Sequence, residues 1–252
     1  MTVPSSRAAV LLIGDELLSG RTQDTNLRTI ATFLAPLGIQ VGEARVVSDA
    51  PDAIVAAVNA LRTAYAYVFT TGGIGPTHDD RTADAVAEAF GVPIDVRADA
   101  RAILAAQYGP HTELNEARLR MARIPEGASL IANPVSKAPG FQIGNVFVLA
   151  GVPSIMRGML EDVGHRLDRG AVVHSVTVRA RSLREGDLAA PLGALQAAEP
   201  GVSFGSYPWF EPPDGFGVHL VARSADPDAL ARGRAALMAL VTAQGGAGEW
   251  VD

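Results

Sequence analysis

The chain has 252 residues, 48% of them hydrophobic and 19% charged, a composition that places it among ordinary globular proteins of one large or two small domains. Its 27 acidic residues outnumber 21 basic ones, giving a formal net charge of -6, so nucleic acid is not expected as the main partner. No cysteine is present, which excludes disulfides and thiolate chemistry, and the apolar runs 8–13 and 146–152 are too short to span a bilayer, so the cytoplasm is the expected compartment.

Residues 8–13 read as a strand buried on both faces and closed by Gly14. Leu27, Ile30, Ala31 and Leu34 recur at helical spacing, with Gly38 placed as the terminating glycine. A second strand is predicted over 39–47, followed by a helix carrying Ile54, Val55, Val58 and Leu61 and entered through Pro51. Residues 67–71 form a third strand, and a helix over 82–90 follows a run of glycines. Further helices are predicted over 98–108 and 114–121, and Gly144-Asn145 joins strands 141–143 and 146–149 as a hairpin. Ser154 reads as the cap of a helix whose apolar face is Ile155, Met159, Leu160, Val163 and Leu167.

Alternating strands and helices with short links predict an α/β fold, a mainly parallel sheet covered by helices. From residue 170 the order changes to strand 172–178, helix 185–198, strands 202–206 and 217–222, and helix 227–243. That order predicts a small α+β domain over 170–252 behind a first domain over 1–169. The turn-rich segment 207–215, with Tyr207, Trp209 and Phe210, reads as a loop, with contact to a second subunit ranked above stacking on a base.

The segment 70–82, TTGGIGPTHDDRT, stands between a strand and a helix. Glycines at 72, 73 and 75 let backbone N–H groups approach an anion, and the start of the following helix favours the same charge. Thr71 and Thr77 border this loop. Asp79 and Asp80 would repel a phosphate unless a proton or a hard cation intervened, and such a cation takes carboxylate and phosphate oxygens together. Parallel strands gather their carboxyl ends, so two more loops are expected at the same edge. One holds Gly14, Asp15, Glu16, Ser19 and Gly20, with Asn26 beyond it, and the other holds Pro153 and Ser154. Asp49, after the second strand, reads first as the cap of the next helix and second as another acid at this edge. Lys137 is equally a phosphate partner or a solvated surface lysine. His78, His111, His165, His174 and His219 lack metal-ligand spacing, so zinc is not expected.

At these residues the sequence resembles the molybdopterin-binding (MoaB/MogA-like) fold in its CinA branch. The resemblance rests on residues 71–80 with 14–20, on Asn133-Pro134-Val135 with Ala138-Pro139-Gly140-Phe141, and on 151–156. Glu185-Gly186-Asp187 and Gly205-Ser206-Tyr207-Pro208 extend it over nearly the whole chain. It implies a three-layer α/β/α domain, a small α+β domain and a homo-oligomer. CinA proteins are similar in this part and hydrolyse the pyrophosphate of ADP-ribose with a divalent metal (Mg, Mn or Co). Many also carry a nicotinamide-mononucleotide deamidase domain, for which no counterpart is expected here, and the animal FAD synthetase has a similar N-terminal domain. MogA-like relatives adenylylate molybdopterin, where aspartates aligned with Asp80 and Asp49 are important. Ile74 replaces their usual threonine and His78-Asp79 their usual basic residues, departures that favour the CinA-type activity.

The expected function is therefore metal-dependent hydrolysis of an ADP-ribose-like nucleotide. Asp80, Glu16 and Asp49 are the candidate catalytic residues, and Asp80 and Asp79 the candidate metal ligands. Phosphate binding falls to Gly14, Ser19, Gly20, Asn26, Thr71, Gly72, Gly73, Gly75, Thr77, Lys137, Pro153 and Ser154. The alternative is a molybdopterin- or nucleotide-binding protein with little catalysis or with adenylyl transfer.

Overall fold

Strand β1 (Arg7–Ile13) sends Ala9, Leu11 and Ile13 into one hydrophobic core and Ala8, Val10 and Leu12 into another. Two-sided burial of this kind belongs to a strand in a sheet covered on both faces. The computed structural model describes residues 7–109, 114–212 and 215–251, so His111, Pro213 and Asp214 lie outside the described residues. The chain divides into two compact units, the first ending at Gly170 and the second starting at Ala171.

In the first unit β1 is followed by α1 (Asp15–Leu18), α2 (Asn26–Leu34), β2 (Gln40–Val47), α3 (Pro51–Ala64), β3 (Tyr67–Thr71) and α4 (Thr82–Phe90). Then come β4 (Ile94–Val96), α5 (Ala98–Tyr108), α6 (Glu116–Arg120), β5 (Arg123–Pro125), β6 (Ser129–Ile131), β7 (Gly140–Ile143), β8 (Val146–Leu149) and α7 (Pro153–Val163). The main sheet has the order β2-β1-β3-β8-β7-β6. The pairs β1–β2, β1–β3 and β3–β8 are parallel, and β7 pairs antiparallel with both β8 and β6. Helices α3, α4 and α5 cover one face through Ile54, Val58, Leu61, Val86 and Leu104. Helices α2 and α7 cover the other through Ile30, Leu34, Met156, Met159, Leu160 and Val163. The domain is therefore a three-layer α/β/α sandwich with a mainly parallel sheet.

The second unit contains β9 (His174–Arg181), α8 (Glu185–Ala198), β10 (Ser203–Glu211), β11 (Gly215–Ser224), α9 (Pro227–Ala243) and β12 (Ala247–Val251). Its antiparallel sheet has the order β10-β11-β9-β12. Val178, Ala180, Val218, Leu220 and Ala222 of the sheet pack with Leu188, Ala229, Leu237 and Val241 of the helices.

Several local expectations need correction. Residues 207–211 are not loop but strand, paired with β11 from Ser203 opposite Arg223 to Glu211 opposite Gly215. Pro208 is tolerated there because β10 is an edge strand, where a missing N–H breaks no inner ladder. Helix α7 begins on Pro153 with Val152 as its N-cap residue, and Ser154 makes no capping bond. The helix expected over 114–121 is reduced to α6, where the Asn115 side chain accepts from Arg118 N–H at 3.0 Å. Strands β4, β5 and β6 are three residues each, too short for an alternation to register, and β12 was likewise not predicted. Among the described residues no helix is long and apolar enough to cross a membrane.

Phe69 and Phe147 stack at 5.0 Å between ring centroids, both fully buried, on adjacent parallel strands. Phe147→Ala removes one of these rings from a closed core. It is expected to lower unfolding stability by about 3–5 kcal/mol, read from the denaturation midpoint at unchanged slope.

Candidate functional site

The carboxyl ends of β1, β2, β3 and β8 open onto one side of the first unit, the edge at which parallel sheets place their ligands. Backbone bonds tie these ends together: Gly14 N–H donates to the Val47 carbonyl at 3.1 Å, and Gly72 N–H to the Leu149 carbonyl at 3.2 Å. Gly72 sits at φ 107, and a Cβ there would lie 2.1 Å from the Ile13 carbonyl oxygen. No side chain fits at this crossing. The loop is then clipped to the start of α4 by Thr82, whose N–H donates to the Gly73 carbonyl at 3.0 Å and whose hydroxyl donates to the Gly72 carbonyl at 2.9 Å. The N–H groups of Gly73, Ile74 and Gly75 donate to no acceptor among the described residues. They are free to meet an anion.

A cavity of about 540 Å³ lies over this loop. Its acids are Glu16, Asp49, Asp79 and Asp80, and its backbone wall runs from Gly72 to Gly75 and across Gly151 to Pro153. Ile13, Ile74, Met121 and Ile155 give it apolar surface. A recess of about 60 Å³ adjoins it and is lined by Glu16, Asp24, Asn26 and Thr71.

Each acid is placed by a specific contact. Thr77 donates both its N–H and its hydroxyl to Asp80 Oδ2, at 2.8 and 2.5 Å. A Cβ on Gly75 would lie 2.6 Å from the same oxygen, so the glycine loop makes room for the carboxylate as well as for an anion. The nearby Thr77 side chain, then the N–H of Asp79 itself, His78 and Arg120, hold the Asp79 carboxyl below the usual range. The Glu16 carboxylate folds against Gly14, where a Cβ would lie 2.4 Å from Oε1. Asp49 does not cap α3, whose N-cap residue is Ala50. Its Oδ2 instead accepts from Asp15 N–H at 2.9 Å, which turns the carboxyl toward the other acids. Burial pushes the Asp49 carboxyl up, the Asp15 N–H opposes this, and the charges of Asp15, Glu16 and Asp79 add to the rise.

Of the residues expected at a site, the structure gathers Glu16, Asp49, Gly72, Gly73, Gly75, Asp79, Asp80 and Pro153 around the cavity, with Asn26 and Thr71 in the recess. Gly14 and Thr77 support carboxylates from behind. Ser19 and Gly20 are exposed at the far end of α1, and Ser154 is exposed within the first turn of α7. Lys137 lies away from the glycine loop, at φ 65, and lines a separate cavity with Asp162 and Arg166.

Residues not singled out as site candidates also take part. Arg120 donates to the Asp80 carbonyl at 3.0 Å and lines a small pocket behind the loop. Asn133 and Ser136 form the opposite wall, and the Asn133 side chain bonds Ser136 Oγ, the Ala138 carbonyl and the N–H groups of Val135 and Ser136. The Asn133-Pro134 pair is a turn signal that could have located this wall. Nothing in the spacing around Arg120 marks it.

Residues 9–169 match the family described as a probable molybdopterin binding domain, and residues 172–246 match the middle domain of FAD synthase. A CinA-like protein of Gemmatimonas aurantiaca is 37% identical over 201 residues, covering 74% of this chain and 46% of the relative. A protein of Caldivirga maquilingensis is 32% identical over 79% of each chain. The crystal structure of CinA, of unknown function, from Thermoplasma acidophilum is 36% identical with a TM-score of 0.61, over 64% of this chain and 98% of that one. The chain spans between 39% and 51% of the length of the CinA-like proteins it resembles.

The raised Asp49 has a consequence for stability. The folded protein holds this proton more tightly than the unfolded chain. The resulting stabilisation is full below the ordinary aspartate range and is lost as pH rises through the folded value. Asp49→Asn keeps an acceptor for Asp15 N–H and carries no charge. Thermal melts should show the variant level with the parent in acid and more stable at neutral pH.

Proposed function

The chain belongs to the molybdopterin-binding domain family, in its CinA-like branch, and from that premise we propose that it hydrolyses the pyrophosphate of an ADP-ribose-like nucleotide with the help of a divalent cation. The observation that carries this reading is one cavity holding three consecutive unengaged amides beside four carboxylates. Neither half suffices alone. Amides suit a phosphate, and the acids would repel it unless a cation joined the two.

The donor set fits such a cation. Hard oxygen donors select Mg²⁺ or Mn²⁺ over softer metals. Among the described residues no three His, Cys, Asp or Glu side chains converge as a closed metal centre. A cation here would therefore have to be carried by one or two carboxylates and completed by substrate phosphates and water. Asp80, with its Oδ2 already fixed by Thr77, and Asp49 or Asp79 would hold it. When bound, it would neutralise phosphate charge and polarise the bridge.

The chain's own groups have separate tasks. The amides of residues 73–75 hold a phosphate and stabilise charge that grows on it during displacement. Glu16 takes the proton of the attacking water, and its seat against Gly14 limits the directions its carboxylate can adopt. Arg120 steadies the Asp80 main chain. The apolar wall of Ile74, Met121 and Ile155 offers a surface for a flat ring.

A second reading is a binding protein for molybdopterin or a nucleotide, with little catalysis or with adenylyl transfer. The description of the matched family favours it, and the same cavity would serve.

AMP release from ADP-ribose, with Mg²⁺, Mn²⁺ or Co²⁺ added in turn, separates the two readings. Metal-dependent release should fall by roughly 10²–10⁴-fold in kcat for Glu16→Gln, and Asp80→Asn should abolish the metal response while the protein still melts cooperatively. No release from folded protein with any of the three cations would move the assignment to ligand binding.

A further inference from the structure

Asn26, the first residue of α2, is 5% exposed and makes two bonds through its amide nitrogen. Nδ2 donates to the Gly151 carbonyl at 2.7 Å and lies 3.4 Å from Thr71 Oγ1. Those contacts fix which end of the amide is which, because a flipped group would set Oδ1 against the Gly151 oxygen. The backbone is pinned too, since Asp24 accepts from the N–H groups of Asn26 and Leu27 at 3.0 and 3.1 Å. Oδ1 is left buried without a hydrogen-bond partner.

A buried acceptor with no donor is costly, and such groups usually mark a place where a ligand or water completes the bond. Asn26 lines the recess that opens beside the main cavity, and Glu16 and Asp24 line it too. No lysine, arginine or histidine is among its lining residues. A phosphate would meet negative charge there with nothing to offset it. The recess measures about 60 Å³, room for a few water-sized groups and not for a fused ring system.

We propose that this recess is a sugar subsite, in which Asn26 Oδ1 accepts a hydrogen bond from a hydroxyl of the ligand while the phosphate lies on the glycine loop. The proposal rests on the nucleotide reading above and adds to it a requirement: the ligand carries an uncharged hydroxyl-bearing sugar next to its phosphate. Asn26 is then a specificity residue with no role in proton transfer. The recess also sets the direction of binding, because Asp24, which lines the recess and not the main cavity, adds negative charge that favours the uncharged end of a sugar phosphate there.

The test is calorimetric titration of the full chain, in Mn²⁺, with ADP-ribose and with inorganic pyrophosphate. Asn26→Ala removes the bond to Gly151 as well, which touches both ligands alike, so it should weaken ADP-ribose about tenfold more than it weakens pyrophosphate. The unaltered protein offers a second arm that needs no variant: an ADP-ribose analogue with 2-deoxyribose as its terminal sugar should bind about tenfold less tightly than ADP-ribose. Equal weakening of both ligands by Asn26→Ala, or full affinity for the deoxy analogue, overturns the sugar subsite and leaves the nucleotide reading standing. Failure of wild-type protein to bind either ligand overturns both.

Discussion

The carboxyl ends of β1, β3 and β8 can meet only because residue 72 has no side chain. A Cβ at Gly72 would strike the Ile13 carbonyl, and one at Gly151 would lie 3.1 Å from the Gly72 Cα. Three strand ends are thus drawn to one point by missing atoms. Everything the site contains is placed relative to that point: the free amides of residues 73–75 just beyond it, the Gly151 carbonyl that anchors Asn26, and the turn into α4 that returns Asp80 to the loop. Backbone closeness here precedes any chemistry of side chains.

The same closeness concentrates charge. Asp49 is raised by burial and by its acidic neighbours, while Asp79 is lowered by hydrogen-bond donors, so the two carboxyls are displaced in opposite directions from the ordinary aspartate range. A proton on Asp49 relieves repulsion in the unliganded cavity, and a cation would do the same more strongly and displace that proton. Cation affinity in such a cluster rises with pH, as expected when ligand groups must first be deprotonated.

Much of this was legible in the sequence where periodicity or glycine spacing carried the signal. Helices α4, α5, α8 and α9 and strand β3 begin and end at the residues the pattern indicated, because each is bounded by a glycine, a proline or an abrupt polar step. The glycine loop was legible for the same reason, since three glycines in four positions between strand and helix have few other uses. What escaped was set by tertiary contact. Asp49 looks like a helix cap locally and is recruited instead by an amide 34 residues away. Residues 207–211 carry turn formers, yet they pair as an edge strand because an antiparallel neighbour of matching length lies beside them. Arg120 and the orphan oxygen of Asn26 have no local signature at all. Burial alone gives them meaning.

The division of labour between backbone and side chains bears on how one scaffold serves different reactions. The amide cradle depends on glycines that cannot be exchanged without strain at the strand crossing. Glu16, Asn26, Ile74 and Asp79, in contrast, bring side chains to the lining of the cavity or its recess. On the proposed reading, phosphate recognition would be tied to the fold, whereas the group attached to the phosphate would be recognised by side chains. In this chain those side chains are an acid beside the first strand, an apolar residue in the glycine loop and an amide with a vacant acceptor. Under the proposal made above, they would suit a ligand that is anionic in its middle, uncharged at one end and flat enough at the other to lie on Ile74.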